Sequence, residues 1–298
     1  MTAVTPLLKY PGGKRKVALA VLRGALEDLG VDARDARLID PMCGAGSYPL
    51  AAQALGFREL SFWDGSPFTA AWWRATQHLA ADHETIADAC EEFHRGLLNC
   101  AARVAELGGV TYYRHLVDKA NRHGDWEHMT LPELYAINRL GFNGLVRFNK
   151  SGEFNVPPGT HAKESRLPMP TEAAIYQHFA IAPRWRNARH YGKPQTPATV
   201  FILDPPYLGG FIGYTPRGWD ADYLKECLGF WRTATREKTG PALLVVHEHT
   251  GGEAQEVVEN YGGALWGTWN RAGTINCKPD RRTPRQEGVW FIRKEATP

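Results

Sequence analysis

Apolar positions along the chain follow two spacings. Val17, Val21, Leu22, Leu26 and Leu29 recur at three- and four-residue steps, which predicts a helix that stops at Gly30. Short continuous apolar runs predict buried strands instead. These runs lie at Arg37-Leu38-Ile39, Leu60-Ser61-Phe62-Trp63, Val200-Phe201-Ile202-Leu203 and Ala242-Leu243-Leu244-Val245-Val246, with two final strands at 264–269 and 288–292. Between Pro67 and about Arg139 the pattern is helical, and Trp72 and Trp73 fall at core positions within it. Ser66-Pro67 reads as a helix start, Thr130-Leu131-Pro132-Glu133 as a capping box, and Asp220 as the cap of a helix carrying Leu224, Cys227, Leu228 and Trp231.

Polar residues sit where the apolar runs stop. The strand at Ile39 ends in Asp40-Pro41-Met42-Cys43-Gly44-Ala45-Gly46-Ser47, a Gly-x-Gly turn from which Ser47 is expected to cap the next helix. The strand at Phe62 ends in Asp64, about 20 residues beyond the glycines, the offset at which nucleotide-binding folds place an acid on a ribose. Strand, glycine turn, helix, strand and acid together predict a Rossmann-like half. The strand at Leu203 ends in Asp204-Pro205-Pro206-Tyr207. At the carboxyl end of a buried strand this tetrapeptide suits a ligand site, and it equally suits a proline turn capped by its aspartate. Leu208-Gly209-Gly210-Phe211 follows as a segment able to close over a substrate.

Two further stretches carry unusual polar content. Lys9-Tyr10-Pro11-Gly12-Gly13-Lys14 precedes the first helix, and its glycines allow close approach of an anion, although a plain turn explains them as well. It is not a phosphate-binding Walker loop, which needs four residues between its glycines. The stretch 138–159 predicts a hairpin around Lys150-Ser151-Gly152. Asn143, Arg147, Asn149 and Asn155 are suited to base edges and phosphates, and Phe142 to stacking on a base or wedging into a duplex. A solvated hairpin with asparagine turns is the competing explanation.

Composition narrows the classes. With 298 residues and 43% hydrophobic content the chain can bury a sizeable core, as one large domain or two smaller ones. A net charge of +3 does not by itself point to a polyanion, but Arg271, Lys278, Arg281, Arg282 and Arg285 crowd the stretch between the last two strands. A Pro- and Arg-rich loop at 182–197 leads back to the sheet. No membrane-length apolar run and no signal-peptide core occur, so a cytoplasmic location is expected. The five cysteines form no Cys-x-x-Cys pair, and His78, His83, His94 and His115 lack ligand spacing, so no metal site is expected. No Pro-Cys dipeptide occurs.

These motifs, in this order, resemble the Dam-type, D12-class (alpha group) site-specific DNA adenine-N6 methyltransferases. The resemblance rests on Lys9 to Lys14, Asp40 to Ser47, Asp64, the asparagine-arginine stretch 138–149 with Gly152-Glu153-Phe154-Asn155-Val156-Pro157, and Asp204 to Tyr207. It implies an α/β fold, a Rossmann-like class I methyltransferase mixed sheet, interrupted by a mainly helical DNA-recognition insertion that carries the hairpin. The catalytic domain would comprise 1–66 and 195–298, and the insertion 67–194. It implies S-adenosylmethionine as cofactor, held by Tyr10, Lys14, Asp40, Met42, Gly44, Gly46, Asp64 and Asp204. It implies catalysis by Asp204, Pro205, Pro206 and Tyr207 on a flipped-out adenine. Lys9, Phe142, Asn143, Leu145, Arg147, Asn149 and Pro157 would meet double-stranded DNA. The expected protein is a monomer needing no metal, with a restriction endonuclease as a conceivable counterpart. Methylation of cytosine N4 or of RNA, and a DNA-binding homologue without catalysis, are the alternatives. The chain departs from the family pattern at Pro11, Met42, Cys43 and Thr160, and lacks an acid-aromatic pair before Val200.

Overall fold

The computed structural model describes residues 5–122, 126–182, 198–208, 219–236, 240–271 and 285–294. All but the first residue of the expected joint at 182–197, the segment just beyond Leu208 and the basic stretch between Arg271 and Arg285 lie outside them. Six strands form one sheet: β1 (Ala36–Asp40), β2 (Glu59–Phe62), β3 (Ala198–Leu203), β4 (Ala242–His249), β5 (Ala264–Arg271) and β6 (Arg285–Lys294). Their order is β2-β1-β3-β4-β6-β5. The first four are parallel, and β6 runs antiparallel to both β4 and β5.

Both faces of the central strands are covered, which is why they read as unbroken apolar runs. Alternate residues serve alternate faces. Leu38, Val200, Ile202, Leu243 and Val245 join one core, with α1 (Ala18–Leu29) and α2 (Ser47–Leu55). Ile39, Phe201, Leu203, Leu244 and Val246 join the other, with α9 (Ala221–Arg236) and α10 (Gly252–Asn260). Helix α1 ends where Gly30 adopts φ 66°, a left-handed cap that glycine takes at little cost.

Among the described residues, six helices lie between β2 and β3: α3 (Pro67–Ala81), α4 (Ile86–Leu107), α5 (Gly109–Arg122), α6 (Leu131–Leu140), α7 (Thr160–Lys163) and α8 (Glu172–Ile181). Their apolar faces continue the first core without a break. Trp72 and Trp73 are fully buried there, as the helical spacing predicts. His178 of α8 packs between them, its ring 5.0 Å from Trp72 and 4.7 Å from Trp73, with Nε2 2.9 Å from Thr76 Oγ1. His78, His94 and His115 are exposed and His83 is half-buried.

Local expectations fail in two places. The cap of α2 is Gly46, at φ 82°, and Ser47 is the first helical residue. The turn enters the helix through a left-handed residue, which serine adopts far less readily than glycine. The hairpin is also tighter than two strands. Its two antiparallel bridges are isolated ones, Gly141 with Pro158 and Phe148 with Phe154, and Phe142–Gly144 forms a single 3-10 turn with Asn143 at φ 54°. Asparagine tolerates that left-handed region better than other non-glycine residues.

Candidate active site

The order of the sheet creates a switch point. From β1 the chain steps outward to β2, whereas β3 leads away on the other side to β4. In open α/β sheets the crevice outside the carboxyl ends of two such strands takes the ligand. Asp40 ends β1 and Asp204 directly follows β3, so two carboxylates flank that crevice. The ladder between β3 and β4 stops at Leu203 and Val246. It cannot continue, because Pro205 and Pro206 have no N–H to donate.

One lysine neutralises part of this acidity. Lys14 is only 3% exposed, and its Nζ lies 2.7 Å from Asp204 Oδ1 and donates to the Gly12 carbonyl at 2.7 Å. The same ammonium sits 5.1 Å from the centre of the Tyr207 ring. Tyr207 in turn reaches both Asp204 Oδ1, at 3.5 Å, and Glu287 Oε2, at 3.4 Å. The opening Gly12-Gly13-Lys14 turn therefore serves the tetrapeptide across the crevice.

The glycine turn is closed by Asp64. Its Oδ2 accepts from Gly44 N and its Oδ1 from Ser66 N, both at 2.8 Å. Asp40 Oδ1 accepts from Met42 N at 3.2 Å. The side-chain space that the glycines leave is taken by aromatics. A Cβ at Gly44 would sit 3.0 Å from the Tyr10 ring, and one at Gly46 would sit 2.6 Å from Trp73. Trp73 also donates its Nε1–H to the Gly44 carbonyl at 3.0 Å.

Burial dominates the electrostatics at this strand mouth. Burial pushes the Asp40 carboxyl well above the usual carboxylate range, and Asp204 adds to the shift. Burial likewise raises Asp64, to about 6, and Glu248, to about 8. Among the described residues, no group of three His, Cys, Asp or Glu side chains is arranged to hold a metal ion.

Five residues of this region escape the sequence reading: Tyr48, His247, Glu248, Trp269 and Glu287. The Tyr48 hydroxyl bonds His247 Nε2, and burial raises the phenol, with Asp204 and Asp40 contributing. Trp269 donates to Glu287 Oε2 at 3.0 Å. A signal for part of this set exists: His247-Glu248-His249 closes the apolar run of β4, as Asp204 closes that of β3. Tyr48 and Trp269 have no such signal.

The second group of candidate residues gathers beside the first. Asn138 Oδ1 accepts from Lys9 N and its Nδ2 donates to Lys9 O, both at 2.9 Å, so the amide side chain pairs the opening segment like a neighbouring strand. Lys9 Nζ donates to Asn143 Oδ1 at 3.3 Å. A Cβ at Gly144 would collide with the Lys9 carbonyl, which explains a glycine there. Lys9 and Asn143 are exposed, as is Pro157, while Phe142 is half-buried. Burial and then the Arg139 charge push the Lys9 ammonium down; His161 is pushed down by burial and by Arg166, Arg139 and Lys9. Positive charge is concentrated there.

Other members of that group point inward or are engaged locally. Leu145 is buried in the core. Asn149 accepts from Ser151 N and Glu153 N, both at 2.9 Å, and so builds the hairpin turn. Arg147 donates through Nε to Asn155 Oδ1, at 2.7 Å, and through its terminal nitrogen to Asn155 O, at 2.5 Å. Thr160 is exposed at the start of α7.

Fold and site together define an α/β protein with an acidic, lysine-bridged crevice at the switch point and a cationic face next to it. The chain belongs to the D12 class N6 adenine-specific DNA methyltransferase family, whose model matches residues 10–238. It is similar to the DNA adenine methylase of Vibrio cholerae serotype O1, with 28% identity over 156 residues, 49% of this chain and 54% of that protein. It is also similar to the DNA adenine methylase of Escherichia coli K12, with 35% identity over 111 residues, 35% of this chain and 37% of that protein. The matched stretch thus spans about half or less of these curated relatives. Among the described residues no helix is long and apolar enough to cross a membrane.

Proposed function

We propose that the protein transfers a methyl group from S-adenosylmethionine to the N6 amine of a flipped-out adenine in double-stranded DNA. The observation that carries the reading is the position of Asp204, at a strand end in the switch-point crevice, held at 2.7 Å by a buried lysine. Family membership supports it, because members are adenine-specific DNA methyltransferases by description. The sheet, with β6 reversed between β4 and β5, is consistent with a class I methyltransferase fold. Residues 1–66 and 195–298 form the catalytic unit in this reading, and 67–194 the recognition unit.

The donor set fits the cofactor. The buried Lys14 ammonium pairs with Asp204, and its charge reaches Asp40 and Glu248; added positive charge would favour the ionised form of these carboxyls, which burial raises. Tyr10, Lys14, Asp40, Met42, Gly44, Gly46, Asp64 and Asp204 line its place. When bound, the cofactor supplies an electrophilic methyl on a cationic sulfur.

The chain's own work is alignment and charge. The adenine amine is a weak nucleophile because its lone pair is shared with the ring. Holding it in line contributes up to about 7–11 kcal/mol. The Asp204 carboxylate and the Pro205 carbonyl accept hydrogen bonds from the amino group and stabilise the positive charge that grows on nitrogen. Pro205 and Pro206 fix the direction of that carbonyl. Tyr207 offers a ring for the base, with its hydroxyl held by Asp204 and Glu287. Base extrusion from the duplex costs a few kcal/mol, which Phe142 offsets by filling the gap. Lys9, Asn143, Arg147, Asn149 and Pro157 belong to the DNA face, and the buried Leu145 packs beneath it.

Asp204→Asn keeps the shape of the side chain and an acceptor for Lys14 while removing the charge. Methyl transfer from labelled S-adenosylmethionine is expected to fall by about 10²-fold or more, with the circular dichroism spectrum unchanged. Turnover near wild type overturns the role of Asp204.

A further inference from the structure

Pro205 and Pro206 create a structural problem at the reacting centre. Without N–H groups they cannot pair with β4, so the ladder that holds β3 ends one residue before Asp204. The backbone that must aim the Asp204 carboxylate and the Pro205 carbonyl therefore leaves the sheet as it enters the site. The next backbone donors are those of Tyr207 and Leu208. Leu208 N is received by a side chain: it lies 3.2 Å from Glu248 Oε1 and 3.2 Å from Oε2.

Glu248 is placed for that task. It is fully buried, two residues past the last β4 partner of β3, where β4 continues against β6 with Gly288 opposite. Its Oε1 also accepts from His249 N at 2.8 Å, which fixes the carboxyl against its own strand. A glutamate ending an apolar strand and buried to this degree is costly for the fold. Burial raises it to about 8; the Asp204 charge adds to the rise, while the two amide bonds and Lys14 oppose it. The groups facing it are thus Asp204 from the tetrapeptide, Lys14 from the opening turn and His249 from its own strand, whose ring stands edge-on to Tyr207 at 4.8 Å.

We infer that Glu248 is a positioning residue for methyl transfer, whose carboxyl anchors the exit of Asp204-Pro205-Pro206-Tyr207 through the Leu208 amide and so holds the amine acceptors in register with the cofactor. It touches neither substrate nor methyl group. One acceptor oxygen suffices, so glutamine can replace glutamate, whereas an apolar side chain of the same volume cannot. The inference rests on the methyl-transfer reading above.

The test compares Glu248→Gln and Glu248→Leu in the full chain, with kcat and KM for S-adenosylmethionine measured on unmethylated DNA. A displacement near 1 Å costs about 10²-fold in rate. Glu248→Leu is expected to lose kcat on that order with KM within about threefold, and Glu248→Gln to keep kcat within about threefold. Where the leucine variant does not fold, Glu248→Asp decides. It keeps a carboxyl but withdraws it by one methylene from the Leu208 amide, and the same loss of kcat is expected. Wild-type kcat in the leucine or aspartate variant overturns the inference, as does a glutamine variant impaired like the leucine one. A wild-type protein that methylates no DNA overturns the functional reading itself, and this role with it.

Discussion

Single residues in this protein do two jobs that their chemistry alone does not announce. Gly44 and Gly46 read as openings for a ligand, yet their missing side chains make room for Tyr10 and Trp73. The Gly46 contact gives a clear expectation. Gly46→Ala combines a left-handed φ of 82° with a Cβ 2.6 Å from a buried tryptophan, and should cost about 1–3 kcal/mol. Gly30→Ala has a left-handed φ of 66° but nothing within 4 Å of its Cβ, so only backbone strain remains. Thermal unfolding should place Gly46→Ala clearly below Gly30→Ala; equal melting temperatures would remove the packing explanation. Asp204 and Asp64 were legible because each directly follows an apolar run. Tyr48 and Trp269 were not, because a lone aromatic inside a helix or strand looks like any core residue until its neighbours across the sheet are known.

At the scale of elements, legibility followed locality. Helix α1 with its Gly30 stop, α6 behind its capping box and α9 behind Asp220 are set by signals a few residues long, and each formed where expected. The isolated hairpin bridges and the Gly46 cap depended on backbone angles that composition only hints at. Strand order is non-local: nothing in residues 285–294 says that they insert between β4 and β5. The seam between α3 and α8 is likewise a tertiary matter, and it carries a pH expectation. Burial lowers His178 from 6.5 to about 3. The folded state thus holds it neutral, while the unfolded chain protonates it below pH 6.5. Its contribution to stability is fully present above 6.5 and is lost as pH falls from 6.5 toward 3, at up to about 1.4 kcal/mol per pH unit. His178→Gln, which does not titrate, should flatten the melting temperature against pH over that window. Parallel curves for variant and wild type would contradict a neutral buried histidine.

Over the whole molecule, two surfaces meet along the opening segment. Lys14 reaches the strand-end carboxylate, and Lys9, five residues earlier, is docked by Asn138 onto the cationic face beside Asn143. The stretch from Lys9 to Lys14 is therefore the covalent link between the acidic crevice and the cationic face, which the proposed function assigns to a sulfonium donor and to DNA. Motif order along the chain pointed to both clusters of residues. Their joint was not legible, since the bonds between Lys9 and Asn138 close across 129 residues. The central claim is that this geometry presents an adenine amine to a methyl donor. The most direct measurement is to incubate the purified protein with unmethylated DNA and isotopically labelled S-adenosylmethionine, digest the product to nucleosides and identify the labelled one by mass spectrometry. N6-methyldeoxyadenosine is the predicted product; labelled N4-methyldeoxycytidine, 5-methyldeoxycytidine or no labelled nucleoside would contradict the claim.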